Sequence, residues 1–118
     1  DEQAGMVLGF EHGGLAVLSS AIMTDTLYDA HIMGTEGRIQ LHDSFWNATT
    51  VSLHRGDDVE QLELPLLCNG YEYEAIEAQN CFREGKLESE VMPHSTTLEI
   101  LTVMDELREQ WGLRYPME

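Results

Sequence analysis

Five histidines, His12, His31, His42, His54 and His94, are the side chains best suited to proton transfer or metal binding near neutral pH. Their spacing contains no HxH or HExxH pair, so the sequence gives a metal site little support. His31 sits mid-strand with Asp29 and Met33 on its face, where it either lines a pocket or makes an ordinary hydrogen bond in a sheet. Lys86 is the sole lysine and the sole candidate for an ammonium acid, base or Schiff-base former. Cys68 and Cys81 lie 13 positions apart without CxxC or Cys/His spacing; two thiols fit a reducing compartment, and a single bridge between them stays open. The pair Asp57-Asp58 falls in a turn, where aspartate is favoured for its backbone hydrogen bonding. No GxGxxG or GxxxxGKS loop and no GxSxG elbow is present, so neither nucleotide binding nor nucleophilic catalysis has a motif in this chain.

Aromatic side chains are more informative. Phe45-Trp46 lies in the polar stretch HDSFWNATT, where two large rings have no periodic apolar neighbours and either plug a sheet edge or line a cleft. Tyr71 and Tyr73 open a helical pattern, from which a ring reaches either a sheet or a ligand.

The elements that must position these residues are legible from periodicity. Residues 5–11, 14–23, 27–33, 38–42, 49–55 and 59–64 are short apolar-rich runs separated by turn chemistry at His12-Gly13-Gly14, Gly34-Thr35-Glu36-Gly37 and Gly56-Asp57-Asp58. They predict about six strands in three hairpins. The first two runs are apolar on both faces, whereas Arg38, Gln40 and His42 share one solvent-facing side of the fourth. After Pro65 the period changes: Asn69 caps a helix carrying Tyr71, Ala75, Ala78 and Phe82, with Gly85 as its stop. A Thr96-x-x-Glu99 capping box then starts a second helix that Gly112 ends. Strands first and helices last predict an α+β fold, an open and mostly antiparallel sheet with two main helices on one face. The doubly apolar strands then need a second cover, a partner subunit or another domain.

The 118 residues fit a single domain, 1–118, and the chain begins at Asp1 in strand-like sequence, as a piece of a longer protein would. Twenty-two acidic residues against six basic ones give a net charge of −16 with no basic cluster, which argues against nucleic acid as a partner. No apolar run is long enough to span a membrane and no signal peptide is recognisable, so the expected location is cytoplasmic, away from any membrane.

Several of these blocks form an ordered set: Gly34-Thr35-x-Gly37-x-Ile39, then Gly70-Tyr71-x-Tyr73-Glu74-Ala75, then Gly85-Lys86-x-Glu88-Ser89-x-x-Met92-Pro93, then Met104-Asp105-x-x-Arg108 and Gly112-Leu113-x-Tyr115-Pro116. Together they resemble the C-terminal domain of the Gfo/Idh/MocA family of NAD(P)-dependent oxidoreductases, over nearly the whole chain, with the dimeric dihydrodiol dehydrogenase and D-xylose dehydrogenase subgroup as the nearest likeness. The resemblance implies a two-domain enzyme whose N-terminal Rossmann domain, in the same polypeptide, binds NAD or NADP and carries the glycine-rich loop and the E-K-P lysine. Neither motif is in this sequence, so no cofactor and no catalytic residue is expected here, and the chain alone should be inactive. It further implies a domain that walls the substrate side of the cleft for a sugar, polyol or diol, with Trp46 and Tyr71 shaping the pocket and His31 and His94 as secondary candidates. The family's sheet face commonly packs on a second subunit, which implies a homodimer or a larger assembly. The alternative is a stand-alone dimeric binding or scaffold domain without catalytic activity. A hydrolase or lyase built on Lys86 or the histidines has no motif behind it.

Overall fold

The computed structural model describes residues 2–116. Six strands precede two helices: β1 (Gln3–Gly9), β2 (Leu15–Ala21), β3 (Ala30–Met33), β4 (Arg38–Leu41), β5 (Thr50–Arg55), β6 (Asp58–Glu63), α1 (Tyr71–Glu84) and α2 (His94–Trp111). All strand pairing is antiparallel, and the fold is α+β as the sequence predicts. The chain divides into two compact units, one ending at Leu66 and the other starting at Leu67.

In the first unit the six strands form two sheets, β1-β2 and β3-β4-β5-β6, instead of the one open sheet expected. The break lies in residues 22–29. That segment holds the turn-favouring Thr24, Asp25 and Thr26; its Ile22 N–H still donates to the Glu2 carbonyl at 2.9 Å, its Tyr28 carbonyl accepts from the Phe45 N–H at 2.8 Å in the turn after β4, and β3 starts at Ala30. The β1-β2 hairpin turns through His12 and Gly13, both at positive φ. Its register sets Val7 opposite Val17 on one face and Met6 opposite Leu18 on the other, which keeps both faces apolar. Val7, Leu15 and Val17 are exposed, and no apolar side chain is buried among the described residues.

The four-stranded sheet is two-faced. Ala30, Leu41, Val51 and Leu62 form one row across it, and Ile32, Ile39 and Leu53 a second row on the same side. The opposite side carries His31, Gln40, Ser52 and Gln61 in one row and Arg38 and His54 in the next. Alternation by two along each strand, held in register by tight turns, thus gathers His31, Gln40, Ser52 and Gln61 in one polar row, while Met33 and Val59 extend the Arg38–His54 row and Glu60 falls on the other side, opposite Leu53.

In the second unit, α1 and α2 both end on a glycine in the left-handed region, Gly85 at φ 70° and Gly112 at φ 64°, whose N–H groups close the last turn as the sequence predicts. The helix starts differ from expectation. Gly70 is the cap residue of α1, while the Asn69 side chain still takes the first helical N–H, its Oδ1 accepting from Tyr71 at 3.3 Å; the Glu72 carboxylate ties down the chain leading into the helix, accepting from the backbone N–H groups of Cys68 (2.6 Å), Gly70 (2.9 Å) and Asn69 (3.2 Å). The second helix begins at His94, two residues before the Thr96-x-x-Glu99 box, because Pro93 supplies the fixed φ of the preceding residue and Glu88 accepts the His94 N–H at 2.7 Å.

Partial desolvation pushes the Glu72 carboxyl up, but hydrogen bonds from its own backbone and those of Cys68, Gly70 and Asn69 outweigh it and hold the group below the usual carboxylate range. A folded-state pKa below the unfolded one gives stability that is present above the ordinary carboxylate pKa and is lost as pH falls through the lowered value. Glu63 and Glu77 are shifted in the same direction, chiefly by hydrogen bonds from Gln61 and Ser89 respectively. We therefore expect Glu72→Gln to lower the melting temperature at neutral pH and to flatten its fall on acidification below about pH 4.5, without abolishing it. Circular dichroism melts of both proteins over that range check this, and parallel curves at all pH values would contradict it.

Candidate functional site

The polar face of the β3-β4-β5-β6 sheet brings together residues that are far apart in sequence. His31 on β3 places its Nε2 2.9 Å from Asp29 Oδ2, and the same oxygen accepts from Gln40 Nε2 on β4 at 3.2 Å. His42, just past β4, holds its Nε2 2.8 Å from Ser52 Oγ on β5. Ser52 is the only buried polar residue among those described, 3% exposed, so the His42 contact satisfies a hydroxyl that has little access to water. In the next row Arg38 Nη2 donates to His54 Nδ1 at 3.4 Å. Burial first, and then the nearby charges of Arg38, His31 and His42, push His54 below the usual histidine pKa, which keeps it neutral and able to accept from the guanidinium.

A cleft of about 440 Å³ opens beside this face, lined by residues 25–29 together with Gln40, His42 and Asp43. Tyr28 forms part of its wall. The Trp46 ring stands edge-on to Tyr28, with centroids 5.7 Å apart, and edge-on to Phe45 at 5.4 Å. Trp46 and His31 are therefore adjacent to this cleft, Trp46 through Tyr28 and His31 through Asp29. Tyr71 and His94 belong to the second unit, as the first residues of α1 and α2. Both are exposed; Tyr71 N–H donates to Asn69 Oδ1 at 3.3 Å, and His94 Nδ1 lies 3.7 Å from Glu88 Oε2. Tyr73, not Tyr71, is tied into local structure, its hydroxyl accepting from the Leu67 N–H at 3.3 Å.

Sequence reasoning read Arg38, Gln40 and His42 as a solvent face and passed over Tyr28 and Ser52. Gln40 and His42 are instead half-buried within the hydrogen-bonded network. The available signal was a run of polar residues at alternate positions through β4 and one residue beyond it, R-x-Q-x-H, facing S-x-H in the next strand.

Other reactive groups are quenched. Lys86 Nζ lies 3.0 Å from Glu84 and 3.2 Å from Glu90; these two carboxylates raise its pKa and hold it as an ammonium. Cys68 and Cys81 are both free thiols. Burial, then its hydrogen bond to Glu77, pushes the Cys81 thiol up and away from thiolate chemistry. Among the described residues no group of three potential ligands is placed to hold a metal ion, and no helix is long and apolar enough to cross a membrane.

No protein-family model matches the chain. Among curated proteins, the trans-1,2-dihydrobenzene-1,2-diol dehydrogenase of Xenopus laevis is 33% identical over 122 residues, covering 98% of this chain and 37% of the relative. The NADP(+)-linked D-xylose 1-dehydrogenase of Hypocrea jecorina is 24% identical over 98% of this chain and 34% of its own length. The NADP(+)-linked scyllo-inositol 2-dehydrogenase of Bacillus subtilis is 29% identical over 100% of this chain and 36% of its own length. The chain belongs to the Gfo/Idh/MocA family. It spans just over a third of the length of these relatives, a coverage that fits one domain of a longer enzyme.

The dinucleotide used by Gfo/Idh/MocA oxidoreductases does not fit the residues described here. A pyrophosphate is held by free N–H groups at a helix start that follows a strand and a glycine-rich turn. Leading into α1, the N–H groups of Cys68, Asn69 and Gly70 are taken by the Glu72 carboxylate and that of Tyr71 by Asn69 Oδ1, and at α2 the first N–H is taken by Glu88. Each start therefore presents a negative charge where a phosphate would have to lie.

Proposed function

We propose that the chain is the C-terminal, substrate-binding and oligomerisation domain of a two-domain NAD(P)-dependent dehydrogenase that acts on a sugar, polyol or diol. The observation that carries this reading is the identity of about one third with a diol dehydrogenase across 98% of the chain, with a xylose and an inositol dehydrogenase as further relatives. NAD or NADP would be held by a Rossmann domain elsewhere in the same polypeptide, and the chain by itself would be inactive, since it carries neither the glycine-rich loop nor the E-K-P lysine. Trp46 and Tyr71 would wall the substrate, with His31 and His94 in secondary positions. Hydride transfer needs donor and acceptor carbons held near contact with water kept out, a task for which aromatic walls are suited and charges are not. The exposed apolar residues of the β1-β2 hairpin, Val7, Leu15 and Val17, support a second cover, for which a homodimer through the sheet face is the proposed source.

The full-length protein, incubated with NAD or NADP and with D-xylose, an inositol or a trans-dihydrodiol, is expected to generate reduced nicotinamide with at least one pair. The 118-residue chain under the same conditions is expected to generate none. A full-length protein inert with every pair, or an active isolated chain, would overturn the reading.

A further inference from the structure

The cleft beside the four-stranded sheet has the chemistry of a reader of hydroxyl groups, and its charge selects among the molecules that carry them. We propose that Tyr28, Asp29, Gln40 and His42 form a subsite for a neutral polyhydroxylated ring or chain, and that the site rejects phosphorylated and carboxylated sugars. This rests on the dehydrogenase reading for its place in a reaction, though not for the binding itself.

Three polar wall residues, Asp29, Gln40 and His42, are each anchored through one atom and open at another. Asp29 uses Oδ2 to hold His31 and Gln40, leaving Oδ1 without a hydrogen-bond partner among the described residues. Gln40 is fixed through Nε2, leaving Oε1; His42 is fixed through Nε2 on Ser52, leaving Nδ1. Side chains held by a second contact keep the open atom in place and lose little freedom when a ligand arrives, which is how a few polar groups confer orientation. Oδ1 and Oε1 accept from hydroxyls, and Nδ1 donates or accepts with its tautomer, so the set matches a ligand whose groups do both. Tyr28 adds an aromatic wall for the C–H face of a ring, and Trp46, packed edge-on against it, limits its rotation. A cleft of about 440 Å³ lies in the range that takes a small molecule.

The exclusion follows from charge. Asp25, Asp29 and Asp43 line the cleft and no lysine or arginine does. A phosphate or carboxylate entering it would meet three carboxylates and no cation, on a chain of net charge −16. Repulsion of this kind discriminates without any loss of contact to the neutral ligand.

The test is equilibrium binding to the full-length protein without cofactor, read by saturation-transfer NMR and intrinsic fluorescence, with D-xylose and xylose 5-phosphate as probes. D-Xylose is expected to bind at least about tenfold more tightly than its phosphate. Gln40→Leu is expected to weaken xylose binding about tenfold, because the hydroxyl-binding oxygen is lost and Asp29 loses a partner. The exposed Asp43→Lys, which touches none of the network, is expected to narrow the gap between the two probes. Circular dichroism of both variants establishes that they fold. Equal affinity for the two probes, absence of xylose binding, or xylose binding indifferent to Gln40→Leu would overturn the proposal. A protein that binds xylose in this way yet reduces neither nicotinamide keeps the subsite and loses the dehydrogenase reading; an active enzyme insensitive to Gln40→Leu does the reverse.

Discussion

Gly37→Val is expected to destabilise the first unit by about 1–3 kcal/mol, through overpacking against a backbone that has nowhere to go. A Cβ at Gly37 would collide with the His54 carbonyl oxygen, and the His54 carbonyl carbon and Arg55 Cγ lie within 3.4 Å and 3.3 Å of the same position. The obstacle is main chain of β5 and not the end of a flexible side chain, so relief requires β4 and β5 to separate where Arg38 pairs with His54. Loss of that register would also disturb the Gln40–Ser52 row beside the cleft. Gly34→Ala in the same turn is the control: its Cβ would meet only the Gly37 carbonyl oxygen, at the ordinary contact distance of 3.7 Å. Thermal melts of the two variants should differ by several degrees, and equal melting temperatures would remove the close approach as the reason for glycine at position 37.

Trp46→Ala in the full-length protein is expected to lower kcat/KM for the preferred diol or sugar by about ten- to a hundredfold, a loss of roughly 1.4–2.8 kcal/mol of transition-state stabilisation. The indole is 62% exposed, so its removal sacrifices little buried area and the melting temperature should move by far less than for a core residue. What it removes is the edge contact that steadies Tyr28, together with any wall the ring itself offers to substrate. Trp46→Phe, which keeps an aromatic edge, should recover part of the loss. Steady-state kinetics with both variants decide the matter: an unchanged kcat/KM in Trp46→Ala places this ring outside the substrate wall.

The parts of the fold that sequence made legible are those governed by local chemistry. Gly85 and Gly112 end helices because only a residue without a Cβ adopts positive φ there without strain, and that rule needs no neighbour. The six strands were recognisable from apolar runs and turn residues for the same reason. The division into two sheets was not, because it depends on which strands pair across the connection from β2 to β3, where the Tyr28 carbonyl accepts from the distant Phe45 N–H. The start of α2 was misplaced by two residues, since a local capping box competed with Pro93 and with a carboxylate six positions upstream. For the candidate site, the proximity of His31 and Asp29 could be read from their i, i+2 spacing. The join of His42 to Ser52 could not, for it needs the β4-β5 register and a side chain just beyond the paired strand. Trp46 stood out by its polar surroundings, but the tyrosine it leans on is 18 positions away.

Strand order has a further consequence, for the speed of folding. In both sheets every strand pairs with the one next to it in sequence, so the chain never has to hold an early strand open for a late one. Closing each hairpin restricts only a short loop, and loop entropy grows slowly with length. Topologies rich in such local pairings pass their folding barrier quickly. The four-stranded sheet can therefore grow one hairpin at a time, and the polar row from His31 to Gln61 is complete only when all four strands have paired.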